Sequence, residues 1–296
     1  MKQDTVAAIN SKGRWFKGCL HTHSTNSDGR FTPQQVVEWY RNYGYDFICL
    51  TDHDTFTDVS GFSTKDFLVL FGAELTASKL DSGVKHHIVA VGLESSFAAK
   101  KEQFHPQELI DRIRRSAGEA IVAHPYWTGS TVNDMSDLQG YLGLEVFNTS
   151  AYVMEGRGFS NVHWDQLLDR GKCTWGFAVD DSHWENGDAG GGWIEVNATK
   201  LERGSILRAM REGRFYATSG PRIEKFSIKE GVAVVRCSPV KEISFLVRNG
   251  RGFKYRSVGE ELLTGGEHRL SGGEGYLRVE CIDAEGGCAW SNPVFF

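Results

Sequence analysis

The chain has 296 residues, 40% apolar and 24% charged, an ordinary balance for a globular protein with a sizeable core, which excludes disorder as its main state. A formal net charge of −5 with interspersed signs leaves no basic stripe for a phosphate backbone, so long duplex nucleic acid is excluded as a partner and a small substrate is favoured. The opening segment MKQDTVAAINSKGRW has no apolar run of signal-peptide length, and nowhere do about 18 apolar residues stand together. The cytoplasm is therefore the expected compartment, without membrane contact.

Along the chain, FKGCLH at 16–21 reads as a strand, and Thr32 followed by Pro33 opens a helix carrying Val36, Val37, Trp39 and Tyr40. Strands are expected at 47–51, 67–72, 88–92, 120–123, 143–147 and 174–179, with helices near 106–117, 161–170 and 201–211. This alternation belongs to an α/β fold. After Thr218-Ser219-Gly220-Pro221 the helical periodicity ends, glycines multiply, and the short runs VAVVRC, ISFLV and YLRVEC predict antiparallel strands. Cys19, Cys49, Cys173, Cys237, Cys281 and Cys288 form no CxxC pair and read as reduced core residues.

Potential metal ligands stand at the ends of the apolar runs. His21 and His23 close the first strand, two apart and hence on one face, and Asp28 follows on a turn. His53 comes after FICLT, Glu74 after FLVLFGA, His87 opens HIVAVG, His124 closes EAIVA, and Asp181 and His183 end TWGFAVD with the spacing of the opening pair. Singly, each has an ordinary explanation: a carboxylate there caps a helix, and a histidine bonds a loop carbonyl. Six histidines and three carboxylates at strand ends that converge on one barrel mouth point instead to a metal site. Imidazoles and carboxylates without thiolate suit zinc, manganese or iron. The set exceeds the needs of one ion, so two or three divalent ions are expected, with Glu74 able to bridge a pair. Ions about 3.5–4 Å apart activate water and clamp the attacking and leaving oxygens, which is hydrolytic chemistry.

These ordered motifs, His21-Thr22-His23 with Ser27-Asp28-Gly29, Thr51-Asp52-His53, Glu74, His87, Ala123-His124-Pro125 and Asp181-Ser182-His183, resemble the PHP (polymerase and histidinol phosphatase) metal-dependent phosphoesterases over about residues 15–220. The phrases WFKGCLHTHSTNSDG, GYDFICLTDHD, WGFAVDDSH, GRFYATSGP and AWSNP are further similar to the CehA/McbA-like branch, whose namesakes are carbaryl hydrolases. The resemblance implies a distorted (β/α)7 TIM-like barrel, the PHP fold, over 1–220 and a small antiparallel, sandwich-like β domain over 221–296. It implies one ion on His21, His23, Glu74 and Asp181, a second on Glu74, His87 and His124, and a third on Asp28, His53 and His183; some members carry histidine at the Asp28 position. It also implies that a metal-bridging hydroxide cleaves a small phosphomonoester, nucleotide or short oligonucleotide. Glu74, Asp181 and His183 are then the catalytic residues, with His183 protonating the leaving group if the third ion is absent.

Two substrate-binding candidates accompany the ligands: Asn148, at the end of GLEVF, which could equally support a ligand from its outer shell or serve a turn, and Arg157, whose guanidinium suits a phosphate although a solvated loop arginine is the reading favoured for it. Asp52, Asp54 and Asp180 flank ligands and are candidates to orient their imidazoles, while Trp127, Trp184 and Trp193 are candidates for a pocket wall. His86 must point away from His87 in an extended segment, and His163 reads as structural. Two alternatives stay open: carbamate or carboxylic ester hydrolysis in the same site, and a non-catalytic metal-stabilised binding module. The oligomeric state has no signature.

Overall fold

A computed structural model describes residues 6–9 and 13–296. The expected helices form for local reasons. In Pro33–Asn42 the Thr32 side chain accepts the Gln35 N–H and the Gln35 side chain returns to the Thr32 backbone, a reciprocal cap, while Val36, Val37 and Tyr40 turn inward. Pro106–Arg115 is capped by His105 and Arg203–Arg211 packs beneath the strands through Ile206, Leu207 and Met210.

The strands arrange in three sheets. The largest runs in the order Arg251–Arg256, Glu242–Val247, Tyr276–Ile282, Cys288–Ser291, Phe215–Thr218, Trp193–Ala198, Arg14–Cys19, Phe47–Leu50, Leu68–Phe71. A five-stranded sheet holds Ala73–Thr76, His87–Val91, Glu119–Val122, Gly143–Asn148 and Trp175–Val179 in that order. A four-stranded sheet, Val6–Ile9, Ile223–Lys229, Val232–Val240 and Leu263–Arg269, packs against the C-terminal strands of the largest one.

The architecture is mixed α/β but departs from an all-parallel, continuously bonded barrel. Arg14–Cys19, Phe47–Leu50 and Leu68–Phe71 are parallel, as are Glu119–Val122, Gly143–Asn148 and Trp175–Val179, whereas His87–Val91 is antiparallel to both its neighbours. Residues 77–86 contain no helix that would carry the chain back for a parallel pairing, so an antiparallel return is the available geometry. The break between sheets falls at Gly72, where a Cβ would stand 2.3 Å from the Ala90 carbonyl oxygen; only glycine fits this close passage.

After residue 221 the strands are antiparallel throughout. Tyr216, Ala217 and Thr218 pair with Ser291, Trp290 and Ala289, so hydrogen bonding crosses residue 220 without a break. Arg278, buried on Tyr276–Ile282, forms a two-pronged pair with Asp165 on helix Asn161–Asp169 at 2.8 and 2.9 Å. Five cysteines are buried and all are free; Cys173 departs from expectation by being exposed. Among the described residues no helix is long and apolar enough to cross a membrane.

Candidate metal centre

The two larger sheets meet at two short seams, and these carry the ligand candidates. At one, Thr22 pairs with Ser182: the His23 N–H donates to the Ser182 carbonyl at 3.0 Å and the Asp181 N–H to that of His21 at 2.9 Å. The HxH and DxH segments thus lie side by side. At the other, His53 pairs with Glu74, and the Asp54 N–H donates to the Glu74 carbonyl at 2.8 Å. His124 and Asp181 hold φ of +25° and +55°, a region that costs non-glycine residues about 1–3 kcal/mol and is retained mainly at functional positions.

Glu74 is the hub. Its Oε1 lies 2.6 Å from His87 Nδ1 and 3.0 Å from His124 Nε2, while its Oε2 lies 2.9, 3.2 and 3.4 Å from His53 Nδ1, His21 Nε2 and His23 Nε2. His21 Nε2 and His23 Nε2 stand 3.2 Å apart, with Asp181 Oδ1 at 3.1 and 2.8 Å from them. Such spacings approach the ~3.4 Å between ligand atoms around a tetrahedral ion with bonds of ~2.1 Å. Glu74 Oε2 is buried and, though close to three ring nitrogens, makes no well-aligned hydrogen bond with any of them, a placement that suits a metal-ligating oxygen. The donor set therefore fits a divalent metal.

Three groups of side chains converge closely enough to hold an ion: His21, His23, Glu74 and Asp181; His53, Glu74 and His87; and His23, Asp28, His53 and His183. His124 joins the second through its contact with Glu74. The structure thus brings all nine candidates together, with Asp28 at the exposed edge, 3.5 Å from both His53 Nε2 and His183 Nε2.

The charges enforce this arrangement. Burial disfavours the charged form of His21, yet Asp181, Glu145 and Glu74 outweigh it and hold the imidazole well above its ordinary pKa. Burial likewise opposes protonation of His53, but Glu74 first and then Asp28 push it up to about 9. Burial disfavours ionised Glu74 and Asp181; the surrounding histidines reverse that and keep both well below the usual carboxylate range.

The support came from a residue that sequence reasoning missed. Glu145, 1% exposed in Gly143–Asn148, accepts from His21 Nδ1 at 2.7 Å and, through its other oxygen, from the His124 backbone N–H and Asn148 Nδ2, both at 2.9 Å. Its bond to Nδ1 leaves the Nε2 lone pair of His21 facing the cluster. Its signal was a lone acid inside an apolar strand. Asn148 also donates to Asp181 Oδ2 at 3.1 Å and caps the next helix by accepting the Ala151 N–H at 2.9 Å. Its side chain therefore holds a ligand from behind rather than facing a substrate.

Of the two readings of Arg157, phosphate clamp and solvated loop arginine, the exposed placement matches the second. Helix Thr149–Glu155 ends in left-handed Gly156, which turns the chain outward, and the exposed guanidinium lies 5.6 Å from the Tyr126 ring. Asp52, Asp54 and Asp180 hold loops instead of imidazoles. Asp52 accepts from Ser24, Ser27 and Thr57; Asp54 from Thr76; Asp180 from Tyr40 and the N–H groups of Gly190, Gly191 and Gly192. Asp188, also unforeseen, accepts the His183 N–H at 2.7 Å. His86 faces away, toward Ser130 and the Asp134 carbonyl, and His163 bonds the Ser130 carbonyl. Seven of the nine ligand candidates, all but His21 and His23, border a cavity of about 370 Å³ whose wall includes Trp127, Ser150, Ala151, Met154, Glu155, Glu185 and Asp188; Trp184 instead donates to the His23 carbonyl and Trp193 flanks Lys17.

No family model matches the chain. Over 151 residues, 45% of its length, it is 30% identical to the phosphoribosyl 1,2-cyclic phosphate 1,2-diphosphodiesterase of Eggerthella lenta, and spans 56% of that relative. Its fold is similar over 99% of both chains to a two-domain protein containing a predicted PHP-like metal-dependent phosphoesterase from Bacteroides vulgatus, with a TM-score of 0.56 at 16% identity. A likeness of TM-score 0.50, also at 16% identity, links 67% of the chain to 96% of an amidohydrolase from Chromobacterium violaceum. By fold the chain is PHP-like, a mixed α/β protein with a clustered histidine and carboxylate site.

Proposed function

We propose that the protein is a metal-dependent phosphoesterase acting on a small phosphorylated substrate at the seam between its sheets, with two or three ions of zinc, manganese or iron. Glu74 carries this reading: one buried carboxylate presents each oxygen to a different set of imidazoles, as a group bridging two ions must. His21, His23 and Asp181 would complete one ion's shell, His87 and His124 a second, and Asp28, His53 and His183 a third. Ions held there supply Lewis acidity and a water of near-neutral pKa, about 7. The 30% identity to a phosphodiesterase over 45% of the chain supports the reaction class.

The chain's own groups then position and exchange protons. Glu145 and Asn148 fix His21, His124 and Asp181 in place. His183 donates Nδ1–H to the Asp181 carbonyl at 2.8 Å, which leaves Nε2 either to ligate or, with the third position empty, to carry a proton to the leaving oxygen. The test is a broad phosphoester panel with Mn²⁺ or Zn²⁺ supplied. Turnover lost in His21→Ala and Asp181→Ala, with folding retained, is the expected outcome; a metal-loaded protein that cleaves no phosphoester would sink the reading.

A further inference from the structure

The walls of the cavity, as distinct from its floor of ligands, bear on what is cleaved. Among the described residues that line it there is no lysine or arginine. Arg157 is turned onto Tyr126, and Arg30 donates to the wall residue Glu185 at 2.6 Å. The lining groups able to meet phosphoryl oxygens are then Ser150, His183 where it is not a ligand, and any ions held at the site, whose charge Asp28, Glu74 and Asp181 would balance, while Glu155, on the same wall, repels anions. Sites for doubly charged phosphoryl groups ordinarily add cationic side chains to their metals.

The rest of the wall is apolar and open. Trp127 and Met154 are 41% and 47% exposed although both border the concavity. Trp127 leaves the short helix directly after His124, its ring 4.9 Å from that imidazole and 5.9 Å from His87. Ala151 and Met154, three apart on helix Thr149–Glu155, share one face. An indole held edge-on beside metal ligands offers a planar surface directly adjoining the reacting centre.

We infer that this site takes a phosphodiester, singly charged at phosphorus, one of whose ester groups is planar and apolar and seats against Trp127 and Met154. The inference rests on the phosphoesterase reading above and narrows it. The reaction is hydrolysis: water's oxygen forms the new P–O bond, one ester P–O bond breaks, and the departing oxygen takes a proton, leaving a monoester that the wall holds poorly.

Three probes with one chromophoric leaving group test this on the metal-loaded protein: p-nitrophenyl phosphate, methyl p-nitrophenyl phosphate and bis(p-nitrophenyl) phosphate. The expected kcat/KM order places both diesters above the monoester and the bis-aryl diester about tenfold above the methyl one, a gap of the size that one apolar group earns in a pocket. Trp127→Leu and Met154→Ala should raise KM for the bis-aryl diester more than for the methyl diester, at unchanged metal content; Met154 touches no ligand, so its variant decides the matter if Trp127→Leu loses metal. A preference for the monoester, or equal KM effects on the two diesters, overturns the inference and leaves the phosphoesterase reading standing. Cleavage of naphthyl esters or carbamates with no phosphoester turned over overturns both.

Discussion

Glu145 Oε1 lies 2.7 Å from His21 Nδ1 while its Oε2 accepts the His124 backbone N–H, so one buried acid on an interior strand braces the His21 imidazole and the backbone that delivers His124. Groups in this position behind metal-bound imidazoles typically change metal affinity about 10–100-fold when altered. Glu145→Gln, which keeps the shape but weakens the acceptor, should lower Zn²⁺ or Mn²⁺ affinity by that factor in a chelator competition while the far-UV circular dichroism stays constant. Unchanged affinity would assign Glu145 a purely structural role.

The pairing of Arg278 with Asp165 ties the C-terminal strands to helix Asn161–Asp169. Arg278 is 1% exposed and also lies 4.7 Å from the Trp164 ring, so removing its main partner strands a buried guanidinium with only Glu280 beside it. Asp165→Ala should cost about 3–5 kcal/mol in urea unfolding. A loss within the ~1 kcal/mol of a surface pair would show that this contact does not fasten the two regions together.

Much of this layout was legible in the sequence because strand periodicity and the position of a residue at a strand's end are local properties. The histidines and carboxylates at the ends of apolar runs do meet, and alternation alone turned His86 away from His87. What escaped depends on tertiary context. Glu145 was not singled out, since an acid whose partners are His21 and the His124 backbone has no local signature. Which way Arg157 would face was open in the sequence, and it stays exposed directly after the left-handed turn at Gly156. The antiparallel return of His87–Val91 against Ala73–Thr76 follows from a connection without a helix, and period-two patterning does not report strand direction.

Thiol reactivity provides a check on the packing. Cys49 is pushed up to about 12 by burial, and Cys19, Cys281 and Cys288 are also held well above the ordinary range, with burial the chief cause for Cys19 and Cys288 and the contact with Cys237 for Cys281. The thiolate is the reactive form, so the native protein should titrate one cysteine promptly with a disulfide reagent, the exposed Cys173, and six after unfolding. Prompt labelling of more than one would contradict the buried placement of the others.

The central claim is that Glu74 joins two ions in one site. Its most direct test is the metal content of purified, metal-reconstituted protein beside that of Glu74→Ala, measured per chain by elemental analysis. The account predicts two or three ions in the parent and loss of at least two in the variant, with secondary structure intact. One ion or fewer in the parent, or a count unchanged by removing Glu74, would contradict it.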